Sequence, residues 1–309
     1  MRVPVQVEVK SAAPKAKRKS PLSEDYIWGY LFIGIPIVVF LIFTVYPLVS
    51  AFIISFQKYK PLGSDWVGLE NYKTLLHDSL FFKAIKNTVI YTIGAVPVNL
   101  LISFTLALLI FPLRKWMQTA FKAIYYLPAV ASGVTISIVW LWIFQPLPGG
   151  LLNKLVGLFG IQNQNWLGSS STAMLSLLIM TWLGSQGKSI IIYIAAMSGI
   201  PDTLFEVADL DGASFFKKVW YIVIPLLKPT TLFLAVTGVI GSFQVFANAY
   251  LMTGGGPDNA TNTVGLLIFQ NAFTYFNFGG ASAQALILTV IIAVIAAVQF
   301  KYLGGDVEY

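Results

Sequence analysis

Residues Gly199–Pro229 read GIPDTLFEVADLDGASFFKKVWYIVIPLLKP. This stretch is too polar for lipid and too patterned for a simple linker. Pro201 ends the apolar run before it. Thr203 and Glu206 have the Thr-x-x-Glu spacing of a capping box, so a short helix is expected to start there. Leu204, Phe205, Val207, Ala208 and Leu210 give that helix an apolar surface. Gly212 supplies the left-handed conformation that stops it. A second amphipathic stretch, Ser214–Val223, leads to Pro225. The expectation is a compact helix–turn–helix, too small to be a catalytic domain. Docking to a partner and packing back on its own bundle are both open to such a unit.

Outward from this loop the chain is almost free of charge. Of its 309 residues 57% are hydrophobic and 11% charged, with a mean hydropathy of +0.75, against about 25% charged in soluble domains. No Asp, Glu, Lys or Arg occurs in Tyr26–Gln57, Asn87–Leu113 or Asn259–Phe300. A helix of roughly 20 apolar residues spans a bilayer. Such stretches lie at about 26–56, 87–111, 123–144, 172–197, 230–250 and 281–300. The expected fold class is therefore an all-α polytopic membrane protein with six transmembrane helices. Kinks are expected at Pro36 and Pro47 in the first span, and Pro97 lies within the second. Residues 1–23, with Lys15, Lys17, Arg18 and Lys19 among Ala, Pro and Ser, read as a disordered basic tail. No small-residue cleavage site follows the first apolar run, so that run is expected to stay as a helix. Residues 24–309 then form one six-span domain.

The positive-inside rule sets the orientation. Placing both termini in the cytoplasm gathers the tail, Arg114, Lys115, Lys122, Lys217, Lys218, Lys228 and Lys301 inside. It leaves Lys58, Lys60, Lys73, Lys83, Lys86 and Lys154 outside, mostly in one loop. That distribution explains the net charge of +7 as a membrane feature, not as nucleic-acid binding. The outer loops are 57–86, 145–171 and 251–280; within them Asn71–Leu80 and Thr263–Tyr275 read as helices, the latter lying at the membrane interface. Gly254–Gly256 with Pro257 is expected to form a tight turn. Pro112–Lys122 reads as a short basic inner loop.

Absences narrow the chemistry. With no cysteine and one histidine, His77, neither disulfides nor thiolate or histidine metal clusters can form. No acid falls inside a span, against a proton-driven carrier. Gly187-Lys188-Ser189 mimics the end of a phosphate loop, but Trp182 stands where its first glycine belongs. No paired carboxylates or nucleophile–base set points to an enzyme.

The pattern Glu206-Val-Ala208-x-x-Asp211-Gly212-Ala213, followed by Ile222-x-Ile224-Pro225, resembles the EAA loop of ABC importer permease subunits, in the maltose and glycerol-phosphate branch. Trp66-Val-Gly-Leu-Glu-Asn-Tyr72, Asn87-Thr88, Gly199-Ile-Pro201 and Met252-Thr-Gly-Gly-Gly-Pro257 add to the resemblance, which runs from about Tyr26 to the C-terminus. Val207 departs from the usual Ala. The resemblance implies that residues 199–228 form a cytoplasmic coupling helix seated on an ATPase subunit. Glu206, Ala208, Asp211, Gly212 and Ala213 would make that contact. It implies a homologous second permease, two ATPase subunits that hold the ATP and Mg, a periplasmic or extracellular solute-binding protein and a sugar substrate. This chain itself would carry no cofactor and hydrolyse nothing. The location implied is a bacterial-type inner membrane.

The resemblance also places substrate contacts on the fourth and fifth spans. The candidates are Trp182, Gln186 and Lys188, then Thr237, Ser242, Phe243, Gln244 and Asn248, with Thr181, Ser185 and Tyr250 nearby. Interhelical hydrogen bonding is the competing role for such groups. Lys188, the one charge within a span, could face a watery cavity, pair with an acid of the second permease, or bind an anionic substrate such as a uronic oligosaccharide or a phosphorylated polyol. The rival function is a secondary carrier not driven by ATP.

Overall fold

The computed structural model describes residues 24–59, 63–147, 149–184 and 186–303. The expected basic tail, Ser185 and residues 304–309 lie outside the described residues. The chain divides after Ala51 into two compact units.

The first unit is helical from Glu24. Helix α1 (Glu24–Phe40) runs through Pro36 into a π turn at Leu41–Val45 and on into α2 (Tyr46–Ile54), which reaches into the second unit. Trp28–Ile54 is long and apolar enough to cross a membrane. Where a kink was expected at Pro47, the helix widens: the Tyr46 N–H reaches back five residues to the Leu41 carbonyl. Proline offers no N–H and its ring crowds the carbonyl four residues before it, so a widened turn relieves the conflict.

In the second unit a two-residue ribbon pairs β1 (Gln57–Lys58) with β2 (Asp65–Trp66), and α3 (Glu70–Leu76) follows. Helix α4 (Ser79–Ile110) is 32 residues long and starts before the charge-free run, because Asp78 caps it by accepting from the Leu80 N–H at 2.8 Å. Lys83 and Lys86, expected in a loop, are therefore helical. The expected third span is broken. Helix α5 (Lys115–Val130) takes up most of the expected basic loop and meets α6 (Gly133–Ile143) at 98°. Ala131 and Ser132 are extended there, and the Ser132 hydroxyl caps α6 through Val134 N–H. Helix α7 (Leu151–Gly157) lies in the following loop.

The fourth span is also two pieces, α8 (Ala173–Gly184) and α9 (Gly187–Met197). Then come α10 (Asp202–Leu210) and α11 (Phe215–Lys218), a π turn at Val219–Val223, α12 (Ile224–Leu226) and α13 (Lys228–Phe243). The Phe215–Leu226 run meets α13 at 64°. The expected fifth span stops at Phe243; residues 247–253 form a separate helix, α14 (Ala247–Thr253). Helix α15 (Val264–Phe269) passes into a π turn at Gln270–Thr274, and α16 (Phe278–Leu303) closes the described chain. Among the described residues three helices are long and apolar enough to span, or up to 6 spans if each bent pair counts as one.

Helix α4 is the centre of the second unit, packed on α8, α9, α13 and α15. Small residues let these helices close up. A Cβ on Gly187 would stand 2.4 Å from the Tyr125 carbonyl oxygen, so α9 begins against the backbone of α5. The Thr263–Tyr275 helix was expected at the membrane interface. Its Val264, Leu266 and Leu267 are instead buried in the core, where α15 packs on α4, α14 and α16.

Candidate functional site

The first candidate site is the turn after α10. The expected capping box does not form: Pro201 occupies the N-cap and Asp202 the first helical position, so Thr203 and Glu206 fall inside the helix. Asp202 places an acid at the positive end of the helix dipole. The expected stop at Gly212 is present. Its φ is +70°, its N–H donates to the Asp209 carbonyl at 3.1 Å and the Ala213 N–H to the Ala208 carbonyl at 2.8 Å. These are the two bonds of a Schellman motif, and they satisfy the last carbonyls of α10 without any side chain. Nothing stands within 4 Å of a Cβ built on Gly212.

Only part of the apolar surface of α10 is used internally. Phe205 packs against the cluster of Ile194, Met197 and Val223, whereas Leu204, Val207 and Leu210 stay exposed, Leu210 at 89%. Lys218 turns back and donates to Asp209 at 2.7 Å. A cavity of about 450 Å³ separates α10 from the ends of α4 and α9, with Phe111, Met197 and Phe205 in its lining and Glu206 at its edge. Among the described residues Glu206 and Asp211 carry no side-chain hydrogen bond or ion pair.

The second candidate site is a polar seam along α4. Gln186, 3% exposed at the α8–α9 break, accepts from Ser103 Oγ at 2.6 Å and donates to Asn99 Oδ1 at 2.7 Å and to the Trp182 carbonyl at 2.6 Å. The Trp182 indole donates to the Gly94 carbonyl at 2.9 Å. Tyr91 shares a 2.7 Å hydrogen bond with Thr181, and Ala249 and Met252 of α14 lie in the same core cluster as Tyr91. Thus Trp182 and Gln186 are brought onto α4, and Asn248 is half-buried on α14. Of the other candidates only Phe243 also packs against α4, in a different cluster. Thr237 is exposed and bonds to the Phe233 carbonyl in its own helix; Gln244 is exposed at the end of α13; Ser242 is half-buried. Phe243 lies in a separate core cluster with Phe81 and Val239. Lys188 is exposed near the start of α9, with no ion pair among the described residues.

Sequence reasoning missed the α4 half of this seam. Tyr91, Asn99 and Ser103 stand at multiples of four inside a charge-free run, a spacing that puts polar groups on one helix face. It had also left Asn87 and Asn71 without a role. The Asn87 amide donates to the carbonyls of Asn259 and Asn262, and the Thr88 hydroxyl accepts from Val264 N–H, so α4 holds the loop after the Gly254–Pro257 turn. The Asn71 amide donates to the carbonyls of Ser55 and Gln57.

A helical core around one long span, with a capped helix–turn–helix outside it, suits a transport component, and comparison with known sequences identifies which. The family model of the binding-protein-dependent transport system inner membrane component matches residues 99–308. The chain belongs to this family. The match takes in Gln186 with its partners Asn99 and Ser103, and the Gly212 turn. Over 287 residues this family member is 32% identical to the probable ABC transporter permease protein YurN of Bacillus subtilis, covering 91% of the chain and 97% of YurN. It is 30% identical over 277 residues to the arabinooligosaccharides transport system permease protein AraP of the same organism, covering 89% of the chain and 88% of AraP. Its fold is similar to that in a crystal structure of a bacterial ABC transporter involved in import of the acidic polysaccharide alginate. There the TM-score is 0.79 at 23% identity, over 90% of this chain and 96% of that one. Membership makes the chain a transport component rather than an enzyme, and its apolar helices are those of a membrane protein.

Proposed function

We propose that this chain is the permease subunit of an ATP-driven importer of a sugar or oligosaccharide, and that α10 with its Gly212 turn is the surface on which an ATPase subunit acts. The relatives' substrates support the sugar class. The observation that carries the coupling role is the turn itself: a helix closed by main-chain bonds, presenting Leu204, Val207 and Leu210 outward, with the exposed Glu206, unpaired among the described residues, on the side that lines the cavity. Apolar residues left exposed beside a free carboxylate suit a protein partner with an apolar cleft and a cation at its rim. Ala208, Asp211 and Ala213 complete that contact. A homologous second permease, two ATPases and a solute-binding protein complete the complex, with both termini cytoplasmic. Trp182, Gln186 and Asn248 sit where α4, α8 and α14 meet, and changes in that seam would link the moving helices to the substrate path. Lys188, exposed and without an ion pair among the described residues, is assigned the contact with an acidic sugar or with an acid of the second permease.

The experiment is Gly212→Asp in the complete importer reconstituted in liposomes. Left-handed backbone costs a non-glycine residue about 1–2 kcal/mol, less for Asp, and the chain itself leaves room for a side chain here. The variant should insert and fold. Uptake should be lost because the new carboxylate stands against the partner. Sugar-stimulated ATP hydrolysis at the wild-type level in this variant would sink the coupling role.

A further inference from the structure

The helical run Phe215–Leu226 turns one face away from the rest of the second unit. Phe216, Trp220 and Ile224 are 81%, 66% and 39% exposed, and Tyr221 beside them 74%. In an α-helix every fourth residue drifts around the axis. The π turn at Val219–Val223 takes up that drift, so the three side chains keep to one stripe. The other side of the run is fixed: Lys218 donates to Asp209 of α10, and Ile222 and Val223 pack in the cluster of Ile194 and Met197. Lys217 at the start of the run and Lys228 just beyond its end are exposed, with no ion pair among the described residues.

Direction, shape and charge select the occupant. The run meets α13 at 64°. Spans tilt by about 20° on average, so with α13 as a span the run lies far from the membrane normal. It is about 18 Å long and rises only about 8 Å along α13, close to the depth of the interfacial layer. Phe216 stands at its water end and Ile224 at its lipid end. There Ile224 lines an apolar hollow of about 310 Å³ with Leu101 and Phe104 of α4, and a smaller one with Lys228 and Leu232. An acyl chain fits such hollows, and the lysine stands over them. From Gly212 to Pro257 there are three lysines and no Asp or Glu, and Lys218 is already paired. Trp and Tyr settle at headgroup level, and lysines beside them attract anionic lipid. The face offered to the ATPase looks different: Leu204, Val207 and Leu210 are aliphatic and stand among acids. We propose that Lys217, Trp220, Tyr221, Ile224 and Lys228 form a docking site for an anionic phospholipid. Through the pair of Lys218 with Asp209 a bound lipid holds α10 in place. The site requires α13 as a membrane span and is independent of the cargo.

The test places the complete importer in nanodiscs of phosphatidylcholine with added phosphatidylglycerol, the upper acyl chains of one lipid or the other being brominated. Bromine quenches a tryptophan that it touches. The reading is the emission lost by the wild type minus that lost by Trp220→Phe, which isolates Trp220 from every other tryptophan of the complex. Brominated phosphatidylglycerol should quench Trp220 at a mole fraction about five-fold lower than brominated phosphatidylcholine, the effect of one lysine near an anionic surface. Lys217→Gln with Lys228→Gln should abolish that preference, and Lys217→Arg with Lys228→Arg should keep it. Equal quenching by the two lipids in the wild type overturns the anionic site. A preference that survives the glutamines overturns the assignment of the lysines. No quenching by either lipid overturns the site as well and makes the face a subunit contact. A disc offers the same lipids on both sides, so none of these outcomes depends on orientation or uptake. A complex that imports no sugar yet shows the preference refutes the sugar reading and leaves the lipid site standing.

Discussion

Gln186 shows how much one side chain carries. Its amide group makes three hydrogen bonds, joining the start of α9 to α8 and α4. Gln186→Leu keeps the volume and leaves Ser103 and Asn99 without that partner. Buried groups stripped of a hydrogen bond cost about 1–3 kcal/mol each. The detergent-solubilised protein should melt several degrees lower, and an unchanged Tm would mean the seam is not a structural joint. The polarity of Gln186 was legible in the sequence, because an amide in an apolar run has few uses. Its partners were not, because Asn99 and Ser103 lie more than 80 residues earlier and only packing brings them near. Gly212 was legible for the opposite reason: the left-handed stop of a short helix is a local matter. The Thr203–Glu206 capping box misled because Pro201, fixed near φ −59°, is itself the N-cap and starts the helix two residues earlier.

At the scale of elements, two π turns stand in the same relation to a proline. Tyr46 bonds back to Leu41 just before Pro47, and Ile224 bonds back to Val219 just before Pro225. The ring crowds the carbonyl four residues back, and the extra residue per turn makes room. Pro225→Ala should let a new N–H close on the Tyr221 carbonyl. Amide hydrogen exchange across 219–225 should then slow several-fold; no change would show that the proline is not the cause of the wide turn. Breaks without proline were the least legible. The 98° corner between α5 and α6 occurs at Ala131-Ser132-Gly133, which in sequence reads only as three small residues in an apolar run. Hydropathy gives the number of apolar stretches, but extended backbone at two residues is enough to turn one stretch into two helices.

For the whole molecule, the charge asymmetry along the chain makes a claim about orientation. The absence of any native cysteine makes that claim simple to read. In sealed inside-out and right-side-out vesicles, Phe216→Cys should react with a membrane-impermeant maleimide only from the cytoplasmic side. Asp258→Cys should react only from the outer side. Both positions are exposed, so labelling of both from one side would invert or abolish the proposed topology. The general class was legible at this scale because lipid imposes one rule on every residue it touches. Which stretches are straight and which are bent follows instead from contacts among helices, and those are written at residues such as Gly187 that approach another backbone closely.

The turn after α10 is closed by atoms common to every residue. No side chain of α10 is spent on holding it, apart from Phe205 as anchor and Asp209 in its pair with Lys218. The shape and the address of this surface are therefore separately editable. On the proposed coupling role, substitutions at Leu204, Val207 or Leu210 would change which ATPase is recognised while the helix keeps its place, and a permease of this build would exchange motors without being refolded.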